Sequence, residues 1–418
     1  MKHRIDTAEL QVGMFVAELD RPWLESPFLF QGFLIEGEED LATLRELCDY
    51  VYFDPERSLE SVRGNVMANR RAANDAGAPA AIEEPMSREE RERENDPKLF
   101  GETFRRVIKL HKQAEIRFSQ IIDDRRLQKR IDYGPLKEIV GELAEVIERN
   151  PNAALWLTKL HAQDELTATH CVNVAIFSMA FAYYRKMDRT LVREIGLGAL
   201  LHDIGLTGPA NCIIRQKEKL TPADFRIVRR HPIEAFASLD RVHTLPEVSR
   251  KIIRWHHERL DGSGYPDRLK GDEIPEYVRM VGIADAYDAM ASDRAYRAGK
   301  QPTEALTELH HDAENTFGAE LVQDFIRCIG IYPVGSVVKL NTGAIGLVAS
   351  SLPGARLTPL VLLIRDGNGQ PLHPRRMVNL EIAANRYGRN WSIEQVVDPN
   401  DYRITIANIA MDEMRAFS

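Results

Sequence analysis

Cysteine is scarce in this chain: four among 418 residues, at positions 48, 171, 212 and 328, with no Cys-x-x-Cys spacing. That argues against a disulfide framework and a thiolate zinc cluster, and it fits a reducing cytoplasm. Long apolar runs are missing as well. The longest, near Val174–Tyr184, is too short and too interrupted to span a bilayer. The first ten residues, MKHRIDTAEL, hold no apolar core of a signal peptide. Nor is there an excess of positive charge. The 55 Lys and Arg stand against 63 Asp and Glu, a net charge of −8, so a polymeric nucleic acid has no electrostatic footing here. An anionic substrate would need a local cationic focus, which bound metals would supply. The expectation is a cytoplasmic protein with no membrane or nucleic-acid partner. Its 44% hydrophobic and 28% charged residues are ordinary for a folded chain, and its length calls for two or three domains.

Residues 1–57 read as a small mixed α/β regulatory unit. It has a strand at Val12–Val16, a helix over Glu38–Leu47 and a strand at Tyr50–Phe53, with Trp23, Phe28, Phe30 and Phe33 as aromatic core. Residues 58–98 are polar, charged and poor in aromatics, which is linker composition. Over 99–150 apolar positions recur at helical spacing: Phe104, Val107, Ile108, His111, Ala114, Phe118, Ile121 and Ile122. Beyond Gly134-Pro135 the pattern resumes with Leu136, Ile139, Val140, Leu143, Val146 and Ile147. Two amphipathic helices follow from this, packed on the next domain or paired with a second copy as a homodimer. Residues 151–333 read as helix after helix. Residues 334–384 switch to a small β segment, with strands at Val337–Leu340, Gly346–Ala349 and Leu360–Ile364, and 385–418 carry no expectation. The fold class is mainly α, with small β-containing units at both ends.

What the chain does have is bunched histidine. Nine of its twelve histidines lie between His161 and His311. They come with carboxylates: His202-Asp203, then His231, then His256-His257, then Asp285, with His170 ahead of them. Histidine is the commonest neutral metal ligand. Neighbours on a helical turn point about 100° apart, so each doublet can approach a metal from two directions. A carboxylate has two oxygens and can bridge two cations. Five histidines and two aspartates exceed the needs of one catalytic metal and suit a pair of ions that assist displacement at phosphorus. The nitrogen and oxygen set favours Fe or Mn, with Mg, Ni or Co as further options. His161, His243, His310 and His311 read instead as capping or surface residues.

Asp261-Gly262-Ser263-Gly264-Tyr265-Pro266 is a turn by composition and a candidate rim for that site. Asp288 shares a helix face with Asp285 and is a candidate proton relay or ligand-orienting group. Arg294 and Arg297 lie just beyond, and arginine forks suit phosphate oxygens.

Taken together, LHDIG at 201–205, HHERLDGSGYP at 256–266, IADAYDAM at 283–290 and DRAYR at 293–297 resemble the HD-GYP family, a branch of the HD metal-dependent phosphohydrolases. The resemblance runs from about Thr167 to Pro333. The first 55 residues resemble the small domain of unassigned function often found ahead of this core. The family implies an HD-type helical bundle and hydrolysis of cyclic di-GMP by a hydroxide bridging two metals. It places metal ligands at His170, His202, Asp203, His231, His256, His257 and Asp285, and substrate contacts at Tyr265, Arg294 and Arg297; Gly264, on the loop itself, is a further candidate contact. Asp203 and, from its place on the face of Asp285, Asp288 are the candidate catalytic carboxylates.

Three departures bear on that reading. Leu206 stands where the family has a lysine, and Gln216-Lys217-Glu218 replaces a second lysine motif; Lys217 or Lys219 would have to compensate. Leu166 stands where three-metal members carry glutamate, and Glu165 is one place off. Two metals and linear pGpG as main product are therefore expected. The competing reading is a catalytically weak cyclic di-GMP receptor or scaffold that signals through partner proteins such as a diguanylate cyclase. A general HD nucleotidase is disfavoured by the Gly-Tyr-Pro loop.

Overall fold

The computed structural model describes residues 3–21, 33–55 without 36, 58, 97–126, 132–158, 166–239 without 208, 217 and 219, 245–292, 299–350, 358–380 and 391–406, together with positions 383, 409 and 412. Trp23, Phe28, Phe30, the linker before Pro97, His161, Glu165, Lys217, Lys219, His243, Arg294 and Arg297 lie outside these residues. The chain divides into two compact units, 1–85 and 86–418.

In the first unit, strands β1 (His3–Asp6), β2 (Phe15–Leu19), β3 (Phe33–Leu34) and β4 (Tyr50–Phe53) form an antiparallel sheet of order β1-β4-β2-β3. Helix α1 (Glu38–Leu47) completes it, and Leu41 and Leu44 join Ile5, Val16, Ile35 and Val51 in one core. The strand expected at Val12–Val16 starts at Phe15 instead. Gly13 adopts a φ of 95°, and Met14 N–H closes a turn onto Gln11 O at 3.2 Å, which keeps Val12 out of the ladder.

The second unit is mainly helical. Its helices are α2 (Pro97–Arg126), α3 (Gly134–Arg149), α4 (Pro151–Leu157), α5 (Leu166–Tyr184), α6 (Arg189–Leu201), α7 (Pro209–Arg215), α8 (Pro222–Val228), α9 (His231–Leu239), α10 (Glu247–Trp255), α11 (Glu276–Ala291), α12 (Pro302–His311), α13 (Ala313–Thr316) and α14 (Ala319–Ile329). Of the helical stripe read along α2, Val107, His111, Ala114, Phe118 and Ile121 are buried, and Leu110 joins them. Their spacing puts them on one face, and removing that face from water drives the packing. Helix α5 is apolar on nearly every side because it is enclosed. Its Phe177 and Phe181 interlock edge to face with Tyr287 of α11 and Phe325 of α14, at centroid distances of 5.2–6.4 Å. That cluster locks α5 against α11, so the polar ends of both helices face one another above it. Among the described residues no helix is long and apolar enough to cross a membrane.

Strands β5 (Val337–Leu340), β6 (Ile345–Ser350), β7 (Leu360–Arg365), β8 (Pro371–Asn379) and β9 (Ile393–Val396) form an antiparallel sheet of order β8-β7-β6-β5-β9. The first three strands match the expected positions within a residue. The edge strand β9 comes from the segment that carried no expectation. Buried Trp156 of α4 donates its indole N–H to Ala349 O at 2.8 Å, tying this sheet to the helices.

Candidate metal centre

The acidic and imidazole side chains meet where helices end. His202 and Asp203 follow the last turn of α6, His231 opens α9, and His256-His257 follow α10. His170 stands near the start of α5, and Asp285 and Asp288 lie on one face of α11. Helix ends leave main-chain carbonyls open to further donors, and three of the rings bond to carbonyls there. His202 Nδ1 donates to Ala199 O at 2.7 Å, His231 Nδ1 to Val228 O at 2.8 Å, and His256 Nδ1 to Ile252 O at 3.1 Å. Each bond commits the Nδ1 hydrogen and turns Nε2 toward the centre.

The donors divide into two groups. Asp203, His231, His256 and His257 offer ligand atoms within 4.8 Å of one another, and so do His170, His202 and Asp285. Asp203 reaches both. Its Oδ1 lies 3.1 Å from His231 Nε2, while Oδ2 lies 3.4 Å from His202 Nε2 and 3.9 Å from His170 Nε2. His170 Nε2 stands 3.1 Å from Asp285 Oδ1, and His257 Nδ1 stands 3.7 Å from Asp285 Oδ2. Cys171 is also close to His202 and Asp203, but burial pushes its thiol up to about 11, which makes it a poor thiolate ligand.

Two observations test whether a cation fits. His202 Nε2 is buried and, among the described residues, has no hydrogen-bond partner, Asp203 Oδ2 at 3.4 Å being its nearest carboxylate oxygen. His231 Nε2 and His256 Nε2 face each other at 3.2 Å although both rings have committed their Nδ1 hydrogens. Lone pairs so opposed are repulsive in the neutral rings. Two nitrogens bound side by side on one ion at ~2.1 Å stand roughly 3 Å apart. The residues present therefore fit divalent metal.

The imidazoles and carboxylates of this cluster also shift one another strongly, and His202, despite burial and facing Asp203, is raised well above the usual imidazole range. Burial would raise Asp203 and Asp285, but the surrounding imidazoles outweigh it and hold both well below the usual carboxylate range. Burial, aided by the charges of His202 and His231, pushes His256 down to about 3, leaving it a neutral donor. Burial would lower His170 too. Its bonds to Asp285 and Asp288 win and raise it to about 9.

Asp288 Oδ2 accepts from His170 Nδ1 at 2.7 Å, so it orients that ring from behind. The glycine-rich loop arches over the other group. The Tyr265 ring lies 4.6 Å from the His257 ring, and the Arg229 guanidinium lies 5.2 Å from the Tyr265 centroid. Burial raises the Tyr265 phenol, which stays a hydroxyl donor. A cleft of about 500 Å³ opens there, lined by Gly264 and Tyr265 with Arg229 and Arg268 as its cations. Gly264 admits no side chain, since a Cβ would stand 2.5 Å from Glu258 Cα.

Several contributors escaped sequence reasoning. Glu258 anchors the loop, its Oε1 accepting from Asp267 N–H at 2.7 Å and Arg268 N–H at 3.1 Å, and its Oε2 from Leu269 N–H at 3.1 Å. Its only signal was a carboxylate directly after the histidine doublet. Arg229 carried no signal beyond its place two residues before His231. Leu206 is buried, and its N–H closes the turn onto Asp203 O at 2.9 Å. His310 and His311 end α12 and belong to neither ligand group.

Comparison with known proteins places this architecture. Residues 153–321 match the HD domain, and residues 2–136 match a domain of unknown function (DUF3391). The cyclic di-GMP phosphodiesterase PA4108 of Pseudomonas aeruginosa is 32% identical over 384 residues, 91% of this chain and 89% of that protein. A cyclic di-GMP phosphodiesterase of Thermotoga maritima is 36% identical over 166 residues, 40% of this chain and 45% of that protein. The solved structure of Bd1817, a HDG"Y"P protein from Bdellovibrio bacteriovorus, is a looser likeness, with 18% identity and a TM-score of 0.41 over 78% of this chain and 98% of that one. With one relative similar along nearly its whole length, the chain belongs to the HD-GYP family of HD-domain phosphohydrolases.

Proposed function

We propose that this protein hydrolyses cyclic di-GMP to linear pGpG, using two divalent cations. Asp203, His231, His256 and His257 would hold one; His170, His202 and Asp285 the other, with Asp203 shared. The observation that carries this reading is the division of seven donors into two groups met by the two oxygens of one carboxylate. Such cations supply Lewis acidity and a nucleophile at neutral pH. The chain's own groups do the rest. Asp288 fixes the tautomer and tilt of His170, Gly264 lets the substrate approach the backbone, and Tyr265 offers a hydroxyl and a ring face at the cleft. Arg229 and Arg268, with Arg294 and Arg297 by family resemblance, would take phosphate oxygens as forks.

The test is turnover by the full chain, purified anaerobically and supplied with Fe(II) or Mn(II), with products separated by chromatography. Expected are pGpG with little GMP, two metals per chain, and loss of activity on chelation. Intact cyclic di-GMP in a sample holding two metals would overturn catalysis in favour of the receptor reading, for which the buried Leu206 is the supporting residue. Rapid accumulation of GMP would overturn the assigned product.

Self-association through residues 100–150 is a separate proposal. The inward stripes of α2 and α3 are already buried within one chain, and among the described residues Ile116, 48% exposed on α2, is a large apolar group left to a second copy. Light scattering is expected to give a dimer at micromolar concentration, and a monomer there ends the proposal.

A further inference from the structure

Helix α2 lies before the region matched by the HD domain and within the match to the domain of unknown function. Three of its polar side chains nevertheless end on the supports of the metal centre. His111, buried, meets Asn173 Oδ1 through Nε2 at 3.3 Å, and Asn173 Nδ2 donates to Asp288 Oδ1 at 3.1 Å. Because an ionised Asp288 only accepts, the Asn173 amide faces it and the Asn173 carbonyl faces His111, so His111 Nε2 must donate. The chain of bonds then ends on His170, whose Nδ1 donates to Asp288. One turn along α2, Glu115 stands 3.5 Å from His111 Nδ1 and accepts from Thr169, the neighbour of His170, at 2.6 Å. Further on, Arg125 donates to Ile204 O, just past His202-Asp203, and to Glu234 O at 3.2 Å, on the helix that His231 opens.

We propose that His111, Glu115 and Arg125 are positioning residues of the metal centre. His111 and Glu115 hold Asn173, Thr169 and, through Asp288, the ring of His170. Arg125 fixes the Asp203 turn against the start of α9, so that Asp203 and His231 keep their spacing. None of the three is among the donors of the two ligand groups. The inference rests on the two-cation reading above. Packing alone does not require these groups: Val107, Leu110, Ala114, Phe118 and Ile121 already bury the face of α2. Groups that hold a ligand from behind tune its basicity and tilt, and losing one typically costs about 10–100-fold in metal affinity. A guanidinium can serve two carbonyls in a fixed fork, which a lysine ammonium does not reproduce.

The experiment is a Mn(II) titration of the full chain, free Mn(II) being read by electron paramagnetic resonance, with thermal melting in parallel. His111→Leu is expected to weaken one of two bound ions by about 10–100-fold. His111→Gln keeps an N–H donor and should stay within a few-fold of the unmodified chain. Arg125→Lys should weaken the ions as His111→Leu does, and in both variants kcat should fall with KM little changed. If His111→Leu and Arg125→Lys bind both ions as the unmodified chain does, whatever their melting temperatures, the inference is overturned. Should His111→Leu fail to fold, Glu115→Gln decides in its place, and unchanged Mn(II) affinity overturns the role of the His111–Glu115 pair. An unmodified chain that binds no Mn(II) fails the two-cation reading itself; two ions bound with unaltered variants fails only this inference.

Discussion

Asp203→Ala is expected to remove both bound cations and at least about a thousandfold of cyclic di-GMP hydrolysis, roughly 4 kcal/mol in the barrier. The size follows from the position of the carboxylate. Its two oxygens face different groups, Oδ1 toward His231 and Oδ2 toward His202 and His170. Under the two-cation proposal, deleting it would take a ligand from each ion and leave five imidazoles crowded without that anion between them. Asp203→Asn separates the two roles. The amide keeps one oxygen for one ion but cannot bridge two, so one metal per chain and equally poor turnover are expected. Metal analysis on desalted protein, beside the chromatographic assay, reads both effects. Asp203→Ala with two metals and near-normal hydrolysis would mean that the shared-carboxylate assignment is wrong.

Much of this site was legible in the sequence, for a physical reason. Ligands at helix ends come as adjacent doublets, His202-Asp203 and His256-His257, and doublets of rare residues stand out without any knowledge of the fold. The helix of the first unit and three strands of the last sheet were legible from period and turn residues alone. The supports of the site were not. His111 sits in the apolar stripe of α2 at helical spacing and reads as one more buried position, yet its partner Asn173 lies 62 residues away. Arg125 carried no reading in the sequence, and it spans 79 and 109 residues to its two carbonyls. Pairings at that separation depend on how helices are laid against one another, which local periodicity does not encode. Asn173 did leave a trace, as a lone amide among Val172, Val174 and Ala175, since a buried amide needs partners. The strand β1 was missed because His3–Asp6 is short and polar at three of its four positions, so it is selected by its pairing with β4 rather than by its own pattern.

Gly205→Ala is the second large expected effect, and it involves no ligand atom. A Cβ built on Gly205 stands 2.0 Å from His231 O, 2.7 Å from His231 C and 2.9 Å from His231 Cα. What it meets is main chain, which cannot swing aside as the end of a flexible side chain would. The methyl must push the first residue of α9 away from the turn that carries Asp203, and His231 Nε2 then leaves its place 3.1 Å from Asp203 Oδ1. Overpacking of this kind costs about 1–3 kcal/mol in stability, so the melting temperature should fall by several degrees. The metal effect should be larger still, with Mn(II) affinity of the group containing His231 down by at least about 100-fold and hydrolysis falling with it, because a ligand is displaced rather than merely reoriented. Gly141→Ala supplies the control. That glycine lies within α3 with nothing inside 4 Å of the added Cβ, and replacing a helical glycine by alanine there should stabilise by up to about 1 kcal/mol. Both ions and full turnover should survive in Gly141→Ala. If Gly205→Ala binds two Mn(II) as tightly as the unmodified chain, the close contact of the His202–Gly205 turn with His231 is not what sets the ligand spacing, and the doublets alone must do so.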